Sequence, residues 1–179
     1  QKTIYQSKVV VGQNLPNTRT PEFSNKMQFM IINPSWYVPR SIVLEEYLPL
    51  IRNNIDAVDG LFFTDKLGNY IKRKDLNLEQ FNDENFPYGM KQPPSTENAL
   101  GVVKFMLPNI HNIYLHDTPD KNLFSKEIRA FSHGCVRVHE PFKLAYELLS
   151  STFVNPKVVF NNLLANEREF KLNLKENIP

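Results

Sequence analysis

The chain has 179 residues, 41% of them hydrophobic, and a formal net charge of +2. That length makes one domain with a real core and no need of disulfide staples. No basic cluster interleaves with aromatics and no apolar run reaches the roughly eighteen residues of a membrane helix, so nucleic-acid binding and a membrane span are both disfavoured.

In chain order, Ile4–Val11 and Gln28–Ile32 read as the first strands, short and rich in β-branched and aromatic residues. No secretory pattern stands at Gln1, so any export signal or anchor is expected upstream. Ser41–Asn54 reads as a helix with Leu44, Leu48 and Ile51 on one stripe, and Pro49 is expected to kink or restart it. Gly60–Ile71 reads as a hairpin: Leu61-Phe62-Phe63, a turn through Asp65–Asn69, then Tyr70-Ile71. Residues 72–97 are polar and punctuated by proline, ending in Gln92-Pro93-Pro94-Ser95. A long irregular insertion of this kind is usually functional or disordered. Strands follow at Val102–Leu107, Ile113–Leu115, Val136–Val138, Lys157–Phe160 and Phe170–Leu174. Between them Phe142, Ala145, Tyr146 and Leu149 make a one-faced helical stripe, with Pro141 suited to the first turn. The expected fold is mainly β with α, of one or two packed sheets, and it shows no internal repeat or low-complexity tract.

The chemistry centres on the only cysteine, in Ser132-His133-Gly134-Cys135-Val136-Arg137. A lone cysteine makes no internal disulfide, so packing, metal binding or reactivity must account for it. On residue type alone a small buried hydrophobe is the commonest answer. Cys135, His116 and His133 are all metal-ligand types, yet no pair of them has a recognised zinc spacing, so neither metal nor cofactor is expected. For reactivity, the thiol must become a thiolate, and free cysteine titrates near ~8.5, so a neighbouring imidazole helps. His116 lies on a separate segment that can be brought opposite the thiol. His133 is two residues from Cys135, and its side chain can share a face with it. Asp117 adjoins His116, but a strand turns its side chain away. The backbone N–H groups of Gly134 and Cys135 are natural donors to a developing oxyanion; an ordinary tight turn also explains the glycine.

His116, fifteen residues, then Ser132-His133-Gly134-Cys135 resembles the signature of the L,D-transpeptidase catalytic domain, the YkuD-type fold. The match ends at Arg137, where the signature usually has Asn. Arg there resembles the larger periplasmic branch of the family. Asn33-Pro34-Ser35-Trp36-Tyr37-Val38-Pro39 and Asn98-Ala99-Leu100-Gly101 also match elements of that branch. The resemblance implies a β-sandwich of mixed sheets, a helical and hairpin capping insertion at about 42–97 over the active site, and one helix after the catalytic motif. An ornamental surface insertion is the other reading of that segment. It further implies that His116 is the base, that His133 supports it near the reacting carbonyl, and that the backbone carbonyl of Asp117 orients His116. Tyr114, Trp36, Arg137, Asp117 and Ser132 complete the expected substrate-binding set. Core packing explains Tyr114 and Trp36 as well from sequence, and an ion pair explains Arg137 as well.

The implied activity is a cysteine transpeptidase of peptidoglycan, in the periplasm. Cys135 forms a thioester with a donor tetrapeptide stem, releases D-alanine, and passes the acyl group to meso-diaminopimelate on an acceptor stem, making a 3-3 cross-link. Carbapenems are the inhibitors the resemblance implies. A cysteine hydrolase acting on the same stems and a catalytically inactive wall-binding module are the alternative readings.

Overall fold

The computed structural model describes residues 3–179. Its strands are β1 (Val9–Gly12), β2 (Met27–Ile32), β3 (Trp36–Tyr37), β4 (Phe62–Thr64), β5 (Tyr70–Ile71), β6 (Gly89–Gln92), β7 (Val103–Met106), β8 (Leu115–His116), β9 (Ala130–Ser132), β10 (Val136–Val138) and β11 (Phe170–Ile178). Its α-helices are α1 (Arg40–Ile42), α2 (Leu48–Asn53), α3 (Pro141–Leu149) and α4 (Pro156–Leu164). They form two compact units: Ser35–Pro93, and the rest of the chain on either side of it. The chain is mainly β with mixed sheets and a few helices, as expected.

The larger unit is built on a sheet of order β11-β2-β7-β8-β10-β1-β9. Most neighbours are antiparallel, but β8 and β10 run parallel, as do β1 and β9. Alternation along the strands separates two faces. Met30 and Ile32 of β2, Val103 and Phe105 of β7 and Leu172 of β11 are buried in one core with Leu144, Ala145 and Leu149 of α3 and Phe160 of α4. Phe160 meets Tyr146 edge-on at 5.6 Å between ring centroids and packs at 5.3 Å from Phe142. Those two aromatics therefore join α3 to α4. Burying a large apolar side chain stabilises by about 1.5–3 kcal/mol each, so this face holds the sheet to its helices. The opposite face carries the alternate residues, Lys104, His116 and Arg137 among them.

The segment Lys157–Phe160, expected as a strand, is the first half of α4. Val158 and Val159 suggested β structure, but Pro156 presets the first helical turn, and burial falls on Phe160, with Leu163 and Leu164 packed against the same core. Two helices thus follow the cysteine motif, not one. The strand expected at Ile4–Val11 is confined to β1, and that at Ile113–Leu115 shifts to β8 and includes His116. Strand β11 runs on to Ile178, past the expected Leu174.

The turns around β7 have a structural cause within this unit. Asn33 takes φ +50°, a left-handed value that Asn tolerates, and its Nδ2 donates to the Leu164 carbonyl at 2.9 Å, satisfying an end of α4. Asn98 is fully buried; its Nδ2 donates to Pro34 O at 3.1 Å and its Oδ1 accepts from Leu100 N at 2.9 Å. Gly101 then adopts φ +58°, where a Cβ would lie inside the Asp117 carboxylate. Gly101→Ala is expected to destabilise the protein by roughly 2–3 kcal/mol, because it adds backbone strain and displaces a buried carboxylate together. Urea denaturation checks this; an unchanged midpoint would contradict it.

The smaller unit has a four-stranded antiparallel sheet of order β3-β6-β4-β5. The expected hairpin is β4 and β5, closed by Asp65 Oδ1, which accepts from the Leu67 and Asn69 N–H groups at 2.8 Å each. The helix expected at Ser41–Asn54 is present but interrupted: Val43–Tyr47 forms a π-turn between α1 and α2. Pro49 stands in the first turn of α2 and has no N–H to return to Glu45, so the wider turn precedes it. Irregular residues 72–88 are tied down by arginines. Arg73 donates to the Ile55, Val58 and Leu61 carbonyls and lies over the Phe63 ring, and Arg40 donates to Phe86 O and Tyr88 O. Val43, Leu48, Ile51, Phe63 and Met90 form this unit's core.

Candidate active site

Strand register assembles the site. Lys104 of β7, His116 of β8 and Arg137 of β10 are Cα partners in one lateral row. Cys135 precedes β10 by one residue, and the Val136 N–H donates to the Tyr114 carbonyl at 3.0 Å. This places Cys135 beside Tyr114, two positions down from the row. Cys135 and His116 are therefore diagonal neighbours on adjacent strands, a separation of about 7–8 Å between backbones that side chains can close.

The thiol is half-buried, and burial pushes its pKa up. Hydrogen bonds from the Tyr114 backbone N–H and phenol oppose that shift, as do the Lys104 and Arg137 charges. Sγ also lies 3.7 Å from Asn112 O. The Tyr114 phenol is itself held protonated, by burial first and then by the charge of a Cys135 thiolate. It is a donor aimed at the sulfur.

His116 is buried, and its Nδ1 is hydrogen-bonded to the Asp117 carbonyl. That bond places the proton on Nδ1 and leaves Nε2 as the basic nitrogen. Burial, with Arg137 and Lys104 on either side, pushes the His116 pKa down to about 4 against the pull of Asp117. The imidazole is therefore neutral near pH 7, with Nε2 unprotonated. The same shift is a stability term. The folded pKa lies below the unfolded one, so the contribution is whole above about pH 6.5 and is lost as pH falls through about 4. Roughly 3 kcal/mol is expected to disappear over that range. His116→Gln should lack this component, which urea titrations at pH 7, 5.5 and 4 would read.

The Asp117 side chain points the other way, as a strand requires. One oxygen accepts from Val102 N at 3.1 Å and the other from Lys121 Nζ. Asp117 thus orients His116 through its carbonyl while its carboxylate locks the Gly101 turn. Ser132 is buried and shapes the nucleophile loop. Its Oγ donates to Cys135 O at 2.5 Å and accepts from Gly134 N at 3.2 Å, and its carbonyl accepts from Gln13 N at 2.9 Å. Gly134 has φ +114°, which only glycine adopts readily. Its N–H faces Ser132, so the Cys135 N–H, without an acceptor among the described residues, is the donor left for an oxyanion. His133 is exposed on the same loop. Trp36 belongs to the smaller unit, where it pairs with Gln92 and meets Tyr47 edge-on at 6.4 Å.

Three contributors escape a reading of the motif alone. Thr20 Oγ1 accepts from Gly12 N and donates to Gly134 O, both at 2.8 Å, which fixes the loop bearing the thiol. Asn109 accepts from the His111 and Ile113 N–H groups and donates to Ile113 O at 2.7 Å, setting the turn that delivers Tyr114. Lys104 stands between the buried Val103 and Phe105, on the site face. A charged residue alternating with core positions was the signal available for it. Among the described residues no group of three His, Cys, Asp or Glu side chains is placed to hold a metal. No helix among the described residues is long and apolar enough to cross a membrane.

The arrangement offers a thiol with donors around it, a neutral base of fixed tautomer and a flanking pair of cations, which is what nucleophilic attack on an amide needs. The family model for the YkuD L,D-transpeptidase catalytic domain matches residues 1–159. A Haemophilus influenzae protein named "Putative L,D-transpeptidase" is 36% identical over 148 residues, which are 82% of this chain and 29% of that protein. The chain therefore spans less than a third of the curated relative it matches. The family model's match to residues 1–159, together with a relative 36% identical over 82% of the chain, shows that the chain belongs to the YkuD family of L,D-transpeptidase catalytic domains.

Proposed function

We propose that this chain is a peptidoglycan L,D-transpeptidase that works through a Cys135 thioester. The observation that carries the reading is the Cys135 thiol set beside Tyr114, on the same face as a neutral His116 whose Nδ1 is held by the Asp117 carbonyl. Sγ attacks the carbonyl between the L-centre of meso-diaminopimelate and the terminal D-alanine of a donor tetrapeptide. The thiol proton passes to His116 Nε2 and then to the nitrogen of the departing D-alanine as the C–N bond breaks. The amine of a second diaminopimelate then attacks the thioester. A new C–N bond forms, the C–S bond breaks, and the amine proton returns through His116 to the thiolate. The product is a 3-3 cross-link.

The Cys135 N–H is the donor for the oxyanion; one such donor is worth roughly 3 kcal/mol of barrier. Placement in the periplasm, acylation by carbapenems, a substrate contact by Trp36 and a lid role for residues 42–97 are part of the same proposal and rest on the family resemblance. The test is mass spectrometry of products from a defined tetrapeptide and an amine acceptor. A cross-linked dimer with one D-alanine released is the expected result. Free tripeptide alone would make the chain a hydrolase, and unchanged peptides would overturn the reading.

A further inference from the structure

An antiparallel sheet that covers a core with one face commonly turns a polar face to solvent. The sheet of the smaller unit does not. Alternation puts Trp36, Phe63, Ile71 and Met90 on the side of that unit's core. The other side carries Tyr37, Phe62 and Tyr70, which are 63%, 42% and 59% exposed. Register lines these residues up. Tyr37 of β3 is the Cα partner of Lys91 of β6, and Lys91 is also the partner of Phe62 of β4. The three form one lateral row: ring, ammonium, ring. Lys72 follows β5 in extended conformation, two residues on from Tyr70, so it falls on the same side and continues the row past Phe62. The Lys91 ammonium lies 4.9 Å from the Tyr37 ring centroid, and Phe62 meets Tyr70 edge-on at 5.3 Å. Both charged side chains of the row are lysines. Asp65, at the end of β4, has its carboxylate engaged by the hairpin turn.

We propose that this row docks the glycan strand of peptidoglycan, with sugar faces stacked on Tyr37 and Phe62 and the lysines paired to carboxylates of the stem peptides. The occupant rests on the transpeptidase reading. Chemistry selects it. An exposed group of aromatic rings marks an interaction surface. Such rings suit a pyranose, which is apolar on its face and keeps its hydroxyls hydrated at its rim. Lysines with no carboxylate in their row call for an anionic partner. Spacing agrees. The pattern of ring and ammonium repeats every two strands, about 9.6 Å. That is close to the length of one disaccharide, and peptidoglycan carries one acidic stem on each disaccharide. A second copy of this chain would instead bring two more lysines to the same patch.

The test is co-sedimentation of the whole chain with insoluble peptidoglycan and with colloidal chitin, a related hexosamine chain that carries no stems and no charge. Tyr37→Ser and Phe62→Ser should each weaken binding to both polymers by roughly 10-fold, the scale of one apolar side chain. Lys91→Gln should weaken binding to peptidoglycan by roughly 2- to 5-fold, the value of an exposed ion pair, and leave binding to chitin unchanged. The substituted side chains stand on a solvent face, and unchanged urea midpoints would confirm that the variants fold. Peptidoglycan binding that ignores both aromatic substitutions overturns the proposal. Self-association of the wild type that the same substitutions abolish would give the face to a second copy and also overturn it. Acylation of wild-type Cys135 by a soluble tetrapeptide is read in parallel. An adduct without binding to peptidoglycan overturns this proposal alone. Binding with the expected losses but no adduct overturns the transpeptidase reading and leaves the glycan surface standing.

Discussion

Cys135→Ala is expected to abolish acyl-enzyme formation and to lower D-alanine release by more than about 10⁴-fold, the scale of losing a nucleophile. No second thiol exists in the chain to take over. The effect should be chemical and not structural. The loop around Cys135 is held by bonds that do not involve the sulfur: Ser132 Oγ to Cys135 O, Thr20 Oγ1 to Gly134 O, and Val136 N to Tyr114 O. The urea midpoint of the variant should therefore stay within about 1 kcal/mol of wild type. D-alanine release measured by coupled assay, alongside that midpoint, gives the answer. Near wild-type release would remove Cys135 from the mechanism.

His116→Ala should suppress acylation by at least ~10²-fold, the low end for loss of a general base. The structure separates the two histidines that the sequence places near the thiol. His116 is buried, neutral and fixed in tautomer by the Asp117 carbonyl. His133 is exposed on the nucleophile's own loop. His133→Ala is expected to cost less and to leave the pH dependence of Cys135 labelling close to wild type. In the wild type that labelling should rise only above the ordinary thiol range, because burial raises the Cys135 pKa more than its donors lower it. Acylation rates against pH for both variants decide the assignment. Loss of reactivity in His133→Ala with retention in His116→Ala would reverse it.

Much of the site was legible because its parts are local in sequence. Ser132-His133-Gly134-Cys135 is one turn, and His116-Asp117 is one strand end, so spacing and residue type sufficed to single them out. What joins them was not legible. The register that sets Cys135 beside Tyr114, and Arg137 beside His116, depends on the parallel pairing of β8 with β10, which no short pattern announces. Lys104, Thr20 and Asn109 act through partners far along the chain or through turn geometry, and none lies in a motif. The fold errors have equally specific causes. Val158-Val159-Phe160 has strand composition, but the proline before it and the burial of Phe160 against α3 decide for helix. The two-residue strand β3 exists through pairing and leaves no period in the sequence. Gly134 was visible in the sequence as a backbone requirement, but the engagement of its N–H by Ser132 needs coordinates.

The most direct test of the account is the mass of the protein itself. Incubated with a free-acid donor tetrapeptide and no acceptor, the wild-type chain should gain one adduct equal to the donor minus D-alanine, located on the peptide that contains Cys135. Hydroxylamine should remove it, as it cleaves a thioester, and Cys135→Ala should show none. An adduct on another residue, or D-alanine released by the Cys135→Ala variant at the wild-type rate, would contradict the thioester mechanism.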